Sequence, residues 1–122
     1  IKDTINFESE EITLSIYDHA VQDNDTISII YNNKEIVSKR MVKNKKNGCI
    51  NILININEKN ENLFIFKAWN EGKIKPNTIK IDFYEGNIFR KKQKIKKINP
   101  KNSLILNSRP GQSTGLIIFK KK

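Results

Sequence analysis

Apolar and polar residues alternate with a period of two along most of this chain. Ile12, Leu14 and Ile16 alternate with Thr13, Ser15 and Tyr17, the pattern of a strand with one buried face. In Thr26–Tyr31, Ile27, Ile29 and Tyr31 share one face and Ser28 and Ile30 the other. Asn32-Asn33 then reads as a tight hairpin turn, because asparagine tolerates positive φ better than other non-glycine residues, and Lys34–Ser38 as the returning strand. After a polar stretch ending at Asn47-Gly48, Ile50, Ile52, Ile54 and Ile56 alternate with Asn51, Leu53 and Asn55, the clearest strand in the sequence. Asn62–Asn70 places Leu63, Ile65, Lys67 and Trp69 on one face and Phe64, Phe66 and Ala68 on the other.

Glu71–Asn77 contains Gly72 and Pro76 and reads as a loop. Thr78–Tyr84 is expected as a strand with Ile79, Ile81 and Phe83 inward. Glu85-Gly86-Asn87 is expected to turn it back into a charged strand over Ile88–Ile95. A turn at Asn99–Asn102, a short strand over Ser103–Asn107, a Gly/Pro/Ser loop and a strand over Gly115–Lys120 complete the chain. No segment carries apolar residues at helical spacing over three turns. The elements therefore predict an all-β protein: an antiparallel β-sandwich, immunoglobulin-like or jelly-roll-like, of about eight or nine short strands. The 122 residues fit one domain, with 1–10 and 120–122 expected as loosely ordered ends.

Composition changes this picture little. Hydrophobic residues make up 37%, enough for one core in a chain of this length. Cys49 is the only cysteine, so neither an intramolecular disulfide nor a multi-thiolate metal site can form, and it is expected at a core or strand edge. No apolar run approaches the roughly 18 residues of a membrane-spanning helix. The start at Ile1 rather than Met suggests a processed or trimmed chain whose export signal or neighbouring domain has been removed.

The chemical inventory is thin. His19 is the only histidine, and there is no G-x-S-x-G elbow, H-E-x-x-H motif or Gly-rich phosphate loop. A non-enzyme is expected. The sharpest cluster is Asp18–Asp25, where Asp18, Asp23, Asn24 and Asp25 offer the hard oxygen ligands that Ca²⁺ prefers, without the spacing of an EF-hand. The alternative is that these side chains cap turn amides, with no cofactor at all. Asn70–Thr78 is a second cluster. Asn70, Asn77 and Thr78 either tie the loop to itself or, if they and Trp69 point outward, resemble a sugar platform, and His19 of the first loop joins them as a candidate partner-binding residue. The face that Trp69 shares with Leu63 and Ile65 favours burial.

Charge is unevenly placed. Residues 1–61 carry eight Lys/Arg and ten Asp/Glu, whereas residues 62–122 carry fifteen and three. The densest run holds Arg90, Lys91, Lys92, Lys94, Lys96 and Lys97, a candidate anion-binding patch for polysaccharide, anionic lipid or nucleic acid. Nucleic-acid binding would add stacking aromatics, and none is interleaved in the run. The alternative is a solvated edge whose lysines discourage strand-to-strand association.

Two segments carry a resemblance. Asp18-His19, Asp23-Asn24-Asp25, Ile27-Ser28 and Asn32-Asn33 resemble the pattern D-[NH]-G-x-x-D-G-D-x-[IV]-S-x-x-x-N-G of small domains in Bacteroidetes-type secreted and outer-membrane-associated proteins. Ala68, Asn70, Gly72, Pro76, Asn77 and Thr78 resemble the same family's A-x-N-x-G-x-x-P-P-N-T. The match runs in order over most of Glu11–Phe119 and departs at Ala20, Asn24, Asn33 and Lys75, where the pattern has Gly, Gly, Gly and Pro. The resemblance implies a β-sandwich accessory module of secreted, periplasmic or lipoprotein-like chains, with no catalytic role to carry over. The expectation is a non-catalytic envelope module that binds a partner protein or glycan through its loop ends. Polyanion binding through Arg90–Lys97 and nucleic-acid binding are the alternatives.

Overall fold

A computed structural model describes residues 2–18, 26–45, 48–56, 62–70, 77–89, 99–108 and 113–121. The regular elements among them are nine strands: β1 (Lys2–Phe7), β2 (Glu11–Asp18), β3 (Thr26–Tyr31), β4 (Lys34–Met41), β5 (Ile50–Asn55), β6 (Asn62–Asn70), β7 (Asn77–Glu85), β8 (Asn102–Ser108) and β9 (Ser113–Lys121). They form a five-stranded sheet in the order β1-β9-β6-β3-β4 and a four-stranded sheet in the order β5-β2-β7-β8. The inward sides of the two sheets close on one core. Ile12, Leu14, Ile16, Ile54, Ile79, Ile81 and Phe83 from the smaller sheet meet Ile5, Phe7, Ile27, Ile29, Phe64, Phe66 and Phe119 from the larger. Phe83 lies 5.2 Å from Phe119 and 6.4 Å from Phe7, ring centre to ring centre, so aromatic packing bridges the layers. The protein is an all-β sandwich, as isoleucine alternation predicts.

Four features depart from the sequence-based expectation. The start of the chain is not loose over Lys2–Phe7: β1 lies beside β9 in parallel, from Lys2 opposite Leu116 to Phe7 opposite Lys121. Ile5 and Phe7, two apart and therefore on one face, are both buried, and that burial fixes the strand. The larger sheet is consequently mixed rather than purely antiparallel. At the other end β9 runs through Lys121, and Lys122 lies outside the described residues. The expected return strand over Ile88–Ile95 does not begin: Ile88 and Phe89 form a turn, and the antiparallel neighbours of β7 are β2 and β8. The Ile88 amide donates to Thr13 Oγ1, and that hydroxyl donates to the Gly86 carbonyl, which folds the turn over the outer side of β2. Residues 90–95 of that expected strand lie outside the described residues.

The hairpin at Asn32-Asn33 is present, with φ of 47° and 67°, the left-handed values of a two-residue type I′ connection. Beyond it β4 extends to Met41, and its pairing with β3 shifts register twice. At the first shift Ile27 faces Arg40 and Ile29 faces Val37, so Ser28 stands opposite both Ser38 and Lys39, a β-bulge.

Alternating strand directions sort the connections into two ends. Asp18, Thr26, Met41, Ile50, Asn70, Asn77, Ser108 and Ser113 lie at one end, where the chain crosses between sheets four times. The Asn32-Asn33 hairpin and the long β7–β8 connection lie at the other. The two loop clusters singled out from the sequence, Asp18–Asp25 and Asn70–Thr78, thus begin and end on the same end of the sandwich. The Arg90–Lys97 run belongs to a connection that leaves and rejoins the opposite end.

Candidate functional site

The outward face of β6 carries Leu63, Ile65, Lys67 and Trp69, none of them fully buried. Trp69 therefore does not enter the core, contrary to the reading that grouped it with buried Leu63 and Ile65. That whole face points away from the other sheet, and Phe64 and Phe66 supply the core instead. The indole is nevertheless fixed. Its Nε1–H donates to Ser28 Oγ at 2.7 Å, and the Lys39 amide donates to the same oxygen at 3.0 Å. The bulge explains the second bond, because the extra residue on β4 sends its amide to the Ser28 hydroxyl, which faces it. Ser28 is wholly buried beneath these groups although it lies on the outer side of its strand.

Two cations close on the same ring. The Lys67 ammonium lies 4.0 Å and the Lys39 ammonium 4.4 Å from the indole centre. Lys67 reaches it because residues two apart on a strand share a face. Lys39 reaches it through the bulge, where its backbone is held at a φ of 43°. Each contact is worth about 0.5–1 kcal/mol at an exposed site, tryptophan being the best ring for it. The group as a whole is a half-open aromatic plate with a pinned edge and two positive charges over it.

A second polar group lies on the outer side of the smaller sheet. Asp82, buried on β7, accepts from Tyr17 Oη at 3.0 Å and from Ser103 Oγ at 2.7 Å. Beside it Ser15 Oγ donates to Asn51 Oδ1 at 2.7 Å. Burial pushes the Tyr17 phenol far above its ordinary range, and the bond to Asp82 adds to the shift. Burial likewise pushes up the phenol of Tyr84 and the thiol of Cys49, with Lys45 working against the latter. Cys49 is half-buried just before β5, as its position next to the isoleucine run suggests.

Of the residues proposed for calcium, Asp18 is described. It ends β2, is buried, and its amide donates to the Lys43 carbonyl at 2.9 Å. Asp23, Asn24 and Asp25, and His19 with them, lie outside the described residues. Among the described residues no group of three His, Cys, Asp or Glu side chains could hold a metal ion. Asn70 closes β6 opposite Thr26, and Asn77 and Thr78 open β7 opposite Ser108 and Asn107. Trp69 and Asn70 thus belong to one sheet and Asn77 and Thr78 to the other, at the same end. Arg90, Lys91, Lys92, Lys94, Lys96 and Lys97 lie outside the described residues.

Sequence reasoning singled out Trp69 but passed over Lys67 and Lys39. The period of two signals Lys67. Nothing local signals Lys39, whose approach depends on a bulge created by pairing with another strand. Asp82 is equally silent, since its burial on an outward face comes from its neighbours.

Fold and site together define a β-sandwich with four inter-sheet connections that leave and enter at one end, beside a half-exposed aromatic–lysine group. Comparison with protein-family models, with curated proteins and with solved structures found no match. Among the described residues no helix is long and apolar enough to cross a membrane.

Proposed function

We propose that this chain is a non-catalytic interaction module of a secreted, periplasmic or outer-membrane-associated protein, binding a partner protein or glycan with the Asp18 end of its sandwich. The observation that carries the reading is the convergence of the connections after Asp18 and Asn70 on that end, beside Trp69. Loops on a rigid sheet framework are common places for recognition, because the framework sets their positions while their sequences vary freely. The resemblance to Bacteroidetes-type accessory domains, carried by these same two segments, supports the envelope location.

Photo-crosslinking residues placed at His19 and Gly72, with a control at Asn99 on the opposite end, test the reading against an envelope fraction. Crosslinks to protein or polysaccharide from the first two positions are expected. Crosslinks from Asn99 alone, or a hydrolytic activity lost on His19→Ala, overturn it.

A further inference from the structure

We infer that Trp69, Lys39 and Lys67 form a subsite for an anionic sugar, a carboxylated or sulfated residue of an acidic polysaccharide. The inference rests on the binding-module reading and gives its ligand a chemistry. Three observations lead to it. The indole is half-open on the outer face of β6, next to the loop end, so one side of a pyranose ring has an aromatic surface to lie on. Its orientation is set in advance by the bond from Nε1 to the buried Ser28 hydroxyl, so the ring is already ordered before a ligand arrives. Lys39 and Lys67 bring two ammonium groups to the same ring. A lysine over an indole exchanges a weak cation–π contact for a charge-assisted hydrogen bond when a carboxylate or sulfate comes within reach. Lys39 is exposed and Lys67 half-buried, and on this inference both ammonium groups turn from the ring to the ligand.

The chain as a whole is basic, with a net charge of +10, which favours an anionic ligand. Single-stranded nucleic acid shares the anionic character but is favoured less by this geometry. Such strands are held by successive aromatic rings under successive bases, whereas Trp69 is followed along its face by Lys67, Ile65 and Leu63.

Trp69 is the only tryptophan, so intrinsic fluorescence reports this site alone. The intact chain is titrated with polygalacturonate, heparin oligosaccharide, uncharged dextran and an oligothymidylate, and the same ligands are followed by calorimetry. Both acidic polysaccharides, or one of them if the site distinguishes carboxylate from sulfate, are expected to perturb the fluorescence and to weaken as salt rises. Dextran is expected to do neither. The variant with Lys39→Gln and Lys67→Gln together is expected to lose about tenfold or more in affinity, while Lys34→Gln, on the same sheet at the far end, binds as the unaltered protein does. Trp69→Leu is expected to abolish the calorimetric signal. Trp69→Phe, which keeps a ring, is expected to bind weakly and serves if the leucine variant does not fold.

Equal binding of dextran and polygalacturonate, unchanged affinity in the double lysine variant, or tighter binding of oligothymidylate than of either polysaccharide overturns the subsite. Failure of the acidic polysaccharides with loop-end crosslinks intact overturns the subsite and leaves the module reading standing. Loss of both overturns both.

Discussion

Asp82 and its two hydroxyl donors show what a single side chain can ask of its neighbours. A carboxylate held almost out of water is tolerated when its oxygens are hydrogen-bonded, and here Tyr17 and Ser103 supply one bond to each oxygen. Tyr17→Phe keeps the ring and removes one donor, so it is expected to cost about 1–3 kcal/mol of stability, measured by urea denaturation. The tyrosines also set the alkaline behaviour. The phenols of Tyr17, Tyr31 and Tyr84 are all raised above the ordinary value of 10.0, burial being the first cause in each. Below pH 10 these groups are protonated in both folded and unfolded chains, and their full contribution is present. As pH rises past 10 the unfolded chain sheds protons that the folded chain keeps, so stability falls. The expected result is a denaturation midpoint that declines above pH 10, with phenolate absorbance appearing later in the folded protein than in urea. Tyr17→Phe should soften that decline. None of this was legible residue by residue. Tyr17 and Asp82 each fall on the outward side of a readable strand, and only their pairing across β2 and β7 buries them.

At the scale of elements, local chemistry and non-local pairing divide the work. The Asn32-Asn33 hairpin is local: both residues sit at positive φ, where a β-branched side chain is strained. Asn33→Val is therefore expected to destabilise by about 1–2 kcal/mol, read as a lower urea midpoint at unchanged slope. Strand β1 is the opposite case. Its hydrogen-bonding partner, β9, lies at the far end of the chain, and the two are parallel, so no hairpin signal announces them. Phe7 is fully buried against Phe83 and Phe119, and Phe7→Ala is expected to cost about 3–5 kcal/mol. Deleting residues 1–7 would also leave β9 as an open edge, and sedimentation should then show concentration-dependent association. The strands β2, β3, β5, β6 and β7 were legible because each buries one face and shows the other to solvent or to polar neighbours. The strand expected over Ile88–Ile95 failed at its start because the Thr13 hydroxyl takes the Ile88 amide and holds the chain in a turn.

For the whole molecule, the arrangement of ends gives the calcium reading a clear test. Asp18 is buried where the chain leaves β2, at the same end as the Trp69 group. An ion bound there only in the folded state raises the melting temperature by mass action, and the increase should vanish in Asp23→Ala with Asp25→Ala. An equal melting temperature in Ca²⁺ and in chelator assigns Asp18, Asp23 and Asp25 to turn structure. By itself the sequence determined that this is an all-β sandwich, which strands carry the core, and where the principal hairpin turns. These follow from side-chain alternation and backbone preference, which act over a few residues. Tertiary structure alone decided that β1 pairs with β9, that both loop clusters begin and end at one end while the connection carrying the basic run leaves and rejoins the other, and that a bulge brings Lys39 to Trp69. Each of these depends on which strands become neighbours. Burial settles that across the whole core, and no short stretch of chain records it.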